Sequence, residues 1–263
     1  MVHRVIVTRP ARDAVHWVAQ LQAAGFDALA LPLIDIAPAP DQQAVVHAWH
    51  RLEGCIAAMF VSGNAAEHFM AARPPAVSVL VLPAGVRAWA PGPGTRKALI
   101  DSGVPASLVD APADDAPQFD SEALWALVRT QAPAGARVLI VRGGDAASAG
   151  TAGKGRDWFA SQLQSAGCNV DFVVAYARQA PRFDGAQLAL ARQAASDGSV
   201  WLFSSSEAIA NLAQALPGQD WAQARAITTH PRIASAARDA GFAVVCESRP
   251  ALGDVVASIE SVA

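Results

Sequence analysis

The sequence predicts an α/β fold with parallel sheets, built twice over. Two observations lead to it. Short β-branched runs alternate with segments of helical period along the 263 residues, which is the pattern of parallel sheets covered by helices on both faces. Four motifs then recur in the same order. RVIVTR (4–9) is matched by RVLIVR (137–142), LQAAG (21–25) by LQSAG (163–167), FVSGNA (60–65) by FSSSEA (203–208), and TRKALIDSG (95–103) by IASAARDAG (233–241). One matching pentapeptide arises easily by chance, but four in order indicate an internal duplication. The expectation is two flavodoxin-like lobes.

Residues 4–8 form a buried parallel strand that Arg9-Pro10 breaks. Asp13 opens a helix to about Ala24, with Ala14, Trp17, Val18 and Leu21 on one face, and Gly25 stops it. Residues 28–36 are extended, completing a βαβ unit, and Pro32, Pro38 and Pro40 punctuate the linker beyond it. A helix is expected from Asp41 to Glu53 and a strand over 56–61. Ser62-Gly63-Asn64 then leads into a helix to about Ala72. Residues 77–82 read as a strand, 91–95 as a glycine-rich loop, and the helix after it runs to Ser102. Residues 106–109 are a short strand, and Asp120 caps a helix carrying Leu124, Leu127 and Val128. The second copy opens at 137. Its arginine-to-leucine spacing is longer than the first copy's, and the extra residues fall in the glycine-rich loop 143–155. The stretch 170–181 is extended, holds the chain's only tyrosine, Tyr176, and echoes 28–38.

Composition narrows the function. Apolar residues make up 52% and charged residues 16%, ample for a core and unlike a disordered chain. The net charge is −3 with no block of like charges, which disfavours a generic nucleic-acid or membrane-surface binder. All basic residues but Lys97 and Lys154 are arginine, the side chain suited to fork-like binding of carboxylates. Cys55, Cys168 and Cys246 form neither a disulfide framework nor a zinc pattern. No signal segment or membrane span is expected, so the compartment is read as cytoplasmic. His47 and His50 share a helix face without a third ligand, so no metal is expected.

In an open parallel sheet, ligands gather beyond the carboxyl ends of the strands. Those positions hold Arg9; Ser62, Gly63 and Asn64; Thr95; Arg142 and Gly143; Ser204 and Ser205; and Thr229, His230 and Arg232. Several begin helices, whose N–H groups favour anions. Each also has a plainer reading: serine and threonine before helices are commonly N-caps, and strands favour aromatics such as Tyr176. Two nucleotide motifs fail. GTAGKGR (150–156) has Ser148 and Gly155 where a phosphate loop has Gly and Ser or Thr, and Gly92-Pro93-Gly94 is followed by Lys97 in place of a third glycine. No cofactor is therefore expected, and no G-x-S-x-G nucleophile elbow occurs.

VTRP with a helix ending LQAAGF, the FVSGNA turn, the PGPGTRKAL loop, GRDWFASQLQSAG, the strand ending in AYAR, FSSSEA and the THPRIA…AGF tail together resemble the bacterial uroporphyrinogen-III synthases over essentially the whole chain. The resemblance implies that the repeats have exchanged their opening βαβ units. Lobe one would be 1–36 plus 178–263, and lobe two 41–171. Residues 37–40 and 172–177 would be antiparallel linker strands beside a cleft. The resemblance implies a cofactor-free hydro-lyase acting on hydroxymethylbilane, a linear tetrapyrrole with eight carboxylates. The enzyme removes water and closes the ring with inversion of the last pyrrole, through an azafulvene and a spiro intermediate. Tyr176 matches a linker tyrosine proposed to donate to the departing hydroxyl. Thr95 matches a hydroxyl facing the cleft, whereas its counterpart here is Ile233. The GDAASAGTAGKG loop (144–155), with Arg156, would form a flap. The resemblance implies a monomer without nucleic-acid or membrane partners, with at most a transient contact to the preceding pathway enzyme. The alternative reading is a two-lobed binding or sensor module that clamps a polycarboxylate without chemistry.

Overall fold

The computed structural model describes residues 4–75, 82–113, 115–116, 118–145 and 154–262, without the side chains of 145 and 154–157. They divide into two compact units: Met1–Asp35 with Gln179–Ala263, and Ile36–Arg178.

The first unit has a five-stranded sheet of β1 (Arg4–Val7), β2 (Asp27–Ala30), β9 (Val200–Phe203), β10 (Arg225–Thr228) and β11 (Val244–Glu247). The spatial order is β2-β1-β9-β10-β11, and every pairing is parallel. That is the 2-1-3-4-5 order of a flavodoxin-like sheet. Both faces are buried, as the apolar strand sequences require. Val5, Val7, Val200 and Leu202 pack with α1 (Ala11–Ala23) and α10 (Leu252–Val262) through Leu21, Val255 and Ile259. Trp201 and Phe203 enter an aromatic group with Trp221 and Phe242.

The second unit has a six-stranded sheet. Its strands are β3 (Asp35–Pro38), β4 (Ala57–Phe60), β5 (Arg87–Trp89), β6 (Val109–Asp110), β7 (Arg137–Asp145) and β8 (Asn169–Gln179), in the order β3-β8-β7-β4-β5-β6. Apart from β3, this is the same 2-1-3-4-5 arrangement, with β7 and β8 in the places of β1 and β2, and its pairings are parallel. Chain order and spatial order differ between the units because each sheet takes its opening βαβ segment from a different part of the chain. Alternate residues face opposite ways. Ala58, Phe60, Leu139 and Val141 meet α2 (Gln42–Arg51), α3 (Gly63–Ala71) and α4 (Pro93–Asp101). Ala57, Met59, Val138 and Ile140 meet α5 (Ser121–Val128) and α6 (Lys154–Ser165).

The repeat is visible in local geometry. Gly25 and Gly167 follow equivalent helices with φ of 93° and 83°, the left-handed conformation that glycine adopts at no steric cost. Ser62 and Ser205 are the N-caps of α3 and α8 (Ser206–Ala215), and Pro93 and Pro231 open α4 and α9 (Pro231–Asp239).

Four sequence expectations need adjustment. The short strand expected at 106–109 is a 3-10 turn over Ala106–Leu108, and only Val109 joins β6. The extended run 28–36 is interrupted after Ala30, where Pro32 has no N–H to give the ladder. Leu31 and Leu33 still donate to the carbonyls of Val7 and Thr8. The strand expected at 77–82 falls largely outside the described residues. On the side of β4 away from β7 lies the three-residue β5, too short to show a period. Gly143 and Gly144, expected in a loop, lie within β7. They tolerate the strand because neighbouring side chains press on them where a Cβ would stand.

Candidate functional site

In the second unit the site is built around Tyr176. β7 and β8 pair regularly from Arg137↔Asn169 to Arg142↔Val174, and then Gly143 pairs with Tyr176, leaving Ala175 as an extra residue. Without this bulge, Tyr176 would alternate away from Ala175. With it, Val173, Ala175 and Tyr176 all join one core cluster. Bulges commonly re-aim a side chain in this way. Tyr176 is 5% exposed, so its hydroxyl needs a partner. It has Ser62 Oγ at 3.2 Å.

Ser62 is held in turn. Its Oγ caps α3 by accepting from the Ala65 N–H at 3.2 Å. The serine oxygen keeps one proton and a second lone pair, so either hydroxyl can be the donor in the contact with Tyr176. Gly63 lies close to the next helix, since a Cβ there would stand 3.4 Å from that of Ala98. Asn64 is half-buried in the first turn of α3. Thr95 is buried at 7% exposure in the first turn of α4, which Gly92 precedes and Pro93 opens. Arg142 lays its guanidinium over Phe172, 4.8 Å from the ring centre. Such stacking occupies the face of the fork and leaves its N–H edge for a carboxylate. Arg156 lies in the first turn of α6, its side chain outside the described residues, as are flap residues 146–153.

His68 was not singled out by the sequence. It lies in the last turn of α3 and stacks on Tyr176 with ring centres 5.7 Å apart and planes 30° apart. Burial pushes its pKa below the ordinary 6.5, because the charged imidazolium loses hydration. The unfolded chain protonates this group first, so the contribution to stability is fully present above pH 6.5 and is lost as pH falls below it. Relative to a His68→Phe chain, the native chain is expected to lose unfolding free energy as pH drops through and below 6.5. Denaturant melts at several pH values measure this, and parallel curves would remove His68 from the acid response.

The first unit gathers its residues at the carboxyl ends of β1, β9 and β10. Arg9 stacks on Trp17 at 4.6 Å, and its Nε is buried without a partner. Burial lowers its pKa, with Asp13 opposing. Ser204 is half-buried, and Ser205 caps α8 by accepting from the Glu207 N–H at 3.2 Å. Ser206, which follows them at the same strand end, has its Oγ buried without a partner. Thr8 and Thr228 are buried and donate to the carbonyls of Leu202 and Cys246. Thr229 is half-buried. His230 is exposed and caps α9, its Nδ1 accepting from the Arg232 N–H at 3.1 Å. The free proton of a neutral imidazole is thereby placed on Nε2, where it can meet an anion. The Arg232 side chain is exposed. Ile233 occupies the helix position in α9 that Thr95 holds in α4, and is likewise buried.

Among the described residues there is no group of His, Cys, Asp and Glu able to hold a metal, and no helix is long and apolar enough to cross a membrane.

These features define a two-unit, flavodoxin-like α/β protein with hydroxyls, arginines and helix N-termini at the carboxyl ends of its strands. The family model for uroporphyrinogen-III synthase HemD matches residues 15–257. The chain belongs to the uroporphyrinogen-III synthase family, whose members are lyases. Similar folds include a mutant uroporphyrinogen III synthase from Thermus thermophilus (17% identity, 99% of this chain and 98% of that one, TM-score 0.53). The uroporphyrinogen-III synthetase of Helicobacter pylori is similar too (14% identity, 100% of both chains, TM-score 0.59). At these identities the likeness speaks for the fold.

Proposed function

We propose that this chain converts hydroxymethylbilane to uroporphyrinogen III with Tyr176 as the acid that releases the substrate's hydroxyl. The observation that carries this reading is the phenol hydroxyl resting on a serine that is itself fixed as a helix cap.

In this reading Tyr176 passes its proton to the hydroxyl oxygen as the carbon–oxygen bond breaks. Water leaves with the bonding pair, and the cationic azafulvene remains. Ser62 donates to the phenolate so formed, which a low-dielectric site rewards. The terminal pyrrole attacks through its substituted carbon and gives the spiro intermediate. Rearrangement inverts that ring, and the proton lost when the pyrrole regains aromaticity returns to the phenolate. The balance is one water lost.

Uncatalysed closure gives the non-inverted isomer, so the chain must also hold the bilane's ends, which is positioning catalysis. The groups suited to its carboxylates are the Arg142 fork, the amides at Gly63 and Asn64, and Thr95. In the other unit they are Arg9, Ser204, Ser205, Thr229, His230 and Arg232. Arg156 and Gly143 complete the set expected from the sequence. We take the protein to act in the cytoplasm as a monomer, without cofactor or metal.

Tyr176→Phe tests the acid. It removes one oxygen from a buried ring and should leave the fold intact while lowering kcat roughly 10- to 100-fold. This is at and below the low end of general-acid effects, because an electron-rich pyrrole helps expel the hydroxyl. Unchanged steady-state kinetics would exclude Tyr176 as the donor.

A further inference from the structure

We propose that His68 is a positioning residue for Tyr176, holding the phenol ring in the pose that keeps its hydroxyl on Ser62. This inference rests on the reading of Tyr176 as the acid.

A hydrogen bond at the hydroxyl fixes only the tip of a phenol, and the ring can still swing about it. Two further contacts restrain the ring. Gly143 bounds its hydroxyl end, where a Cβ would stand 2.7 Å from Oη and 2.8 Å from Cε1. The His68 imidazole covers the ring itself, at 5.7 Å between centres. Ser62 is the N-cap of α3 and His68 lies in the last turn of that helix. One rigid element, nine residues long from Gly63 to Ala71, therefore delivers both contacts to Tyr176. Supporting shells of this kind hold a reacting group within the narrow tolerance that catalysis needs.

A plainer role for a histidine in the last turn of a helix is to favour the negative end of the helix dipole. That role needs the charged form, and burial pushes His68 toward the neutral one. Stacking needs no charge.

The chain has a single tyrosine, so ring-13C-tyrosine labelling gives one set of ring signals, all from Tyr176. In His68→Ala those signals are expected to move toward the positions of free tyrosine. kcat should fall about tenfold with KM little changed, since the loss is one of alignment. His68→Phe, which restores a stacking ring, should return both the signals and most of kcat. Should His68→Ala fail to fold, His68→Leu, with bulk but no ring, is read in its place. Unmoved ring signals in the folded variant overturn the proposal, whatever Tyr176→Phe does to turnover. Failure of His68→Phe to restore them overturns it equally. Shifted and rescued ring signals with unchanged turnover in Tyr176→Phe would instead locate the failure in the acid reading.

Discussion

Gly143→Ala is expected to lower kcat by at least about 100-fold, although the change adds a single methyl group. The new Cβ would stand 2.7 Å from Tyr176 Oη, nearer than unbonded carbon and oxygen approach, so the ring must move. On one side the ring meets His68 and on the hydroxyl side Ser62, and displacement breaks the alignment with both. A misplacement of about 1 Å costs on the order of 10²-fold where geometry carries the catalysis. The backbone has little room to yield, since a Cβ at Gly144 would already meet Val174 at 2.9 Å. Overpacking of this kind also destabilises by about 1–3 kcal/mol. The pair Gly143→Ala and Tyr176→Phe separates the two effects. The double variant should recover neither stability nor activity, because the ring carbons Cζ and Cε1 that crowd the new Cβ remain in phenylalanine, so the packing loss is present with and without the hydroxyl. Single-turnover kinetics and thermal melts of the three variants check this, and full activity in Gly143→Ala would contradict the packing described.

Trp201→Ala is expected to cost about 3–5 kcal/mol, the range for a buried aromatic truncated to alanine. Trp201 is fully buried. It stacks on Phe203 at 6.0 Å and meets Trp221 and Phe242 edge-on at 5.3 and 6.2 Å. Its indole N–H donates to the Ala194 carbonyl at 3.0 Å, so the change leaves a cavity and also an unpaired buried carbonyl. A loss of that size is a large share of the stability of an ordinary domain. The first unit should melt well before the second. Urea denaturation followed by tryptophan fluorescence reads the change, and a shift under 1 kcal/mol, on the scale of an exposed site, would contradict the central placing of Trp201.

Much of this fold was legible because its signals are local or repeated. Strands such as RVIV and VWLF are apolar throughout, as strands buried on both faces must be. The paired motifs FVSGNA and FSSSEA mark two helix starts whose serines act as N-caps in both units. The site was less legible. Position in the β8 stretch and the family resemblance both single out Tyr176, but the bulge that turns it toward Ser62 is a property of two paired strands. No pattern along either strand announces it. His68 was missed because its partner lies far along the chain and joins it only through the packing of α3 against the sheet. β5 was missed because three residues cannot display a period of two. Along the sequence Gly143 looks like a bare amide in a loop, whereas in the sheet it leaves the space that Tyr176 occupies.

The duplication also has an asymmetry with chemical content. Thr95 and Ile233 hold the same place in equivalent helices, one with a hydroxyl and one without. Tyr176, Ser62 and His68 all belong to the second unit. The first holds two buried polar atoms without a partner, Arg9 Nε and Ser206 Oγ.

The most direct test of the account is the identity of the product formed from freshly prepared hydroxymethylbilane by the purified chain, resolved by isomer. The account predicts uroporphyrinogen III, formed faster than spontaneous closure and without added metal or cofactor. Uroporphyrinogen I alone, at the spontaneous rate, would contradict it.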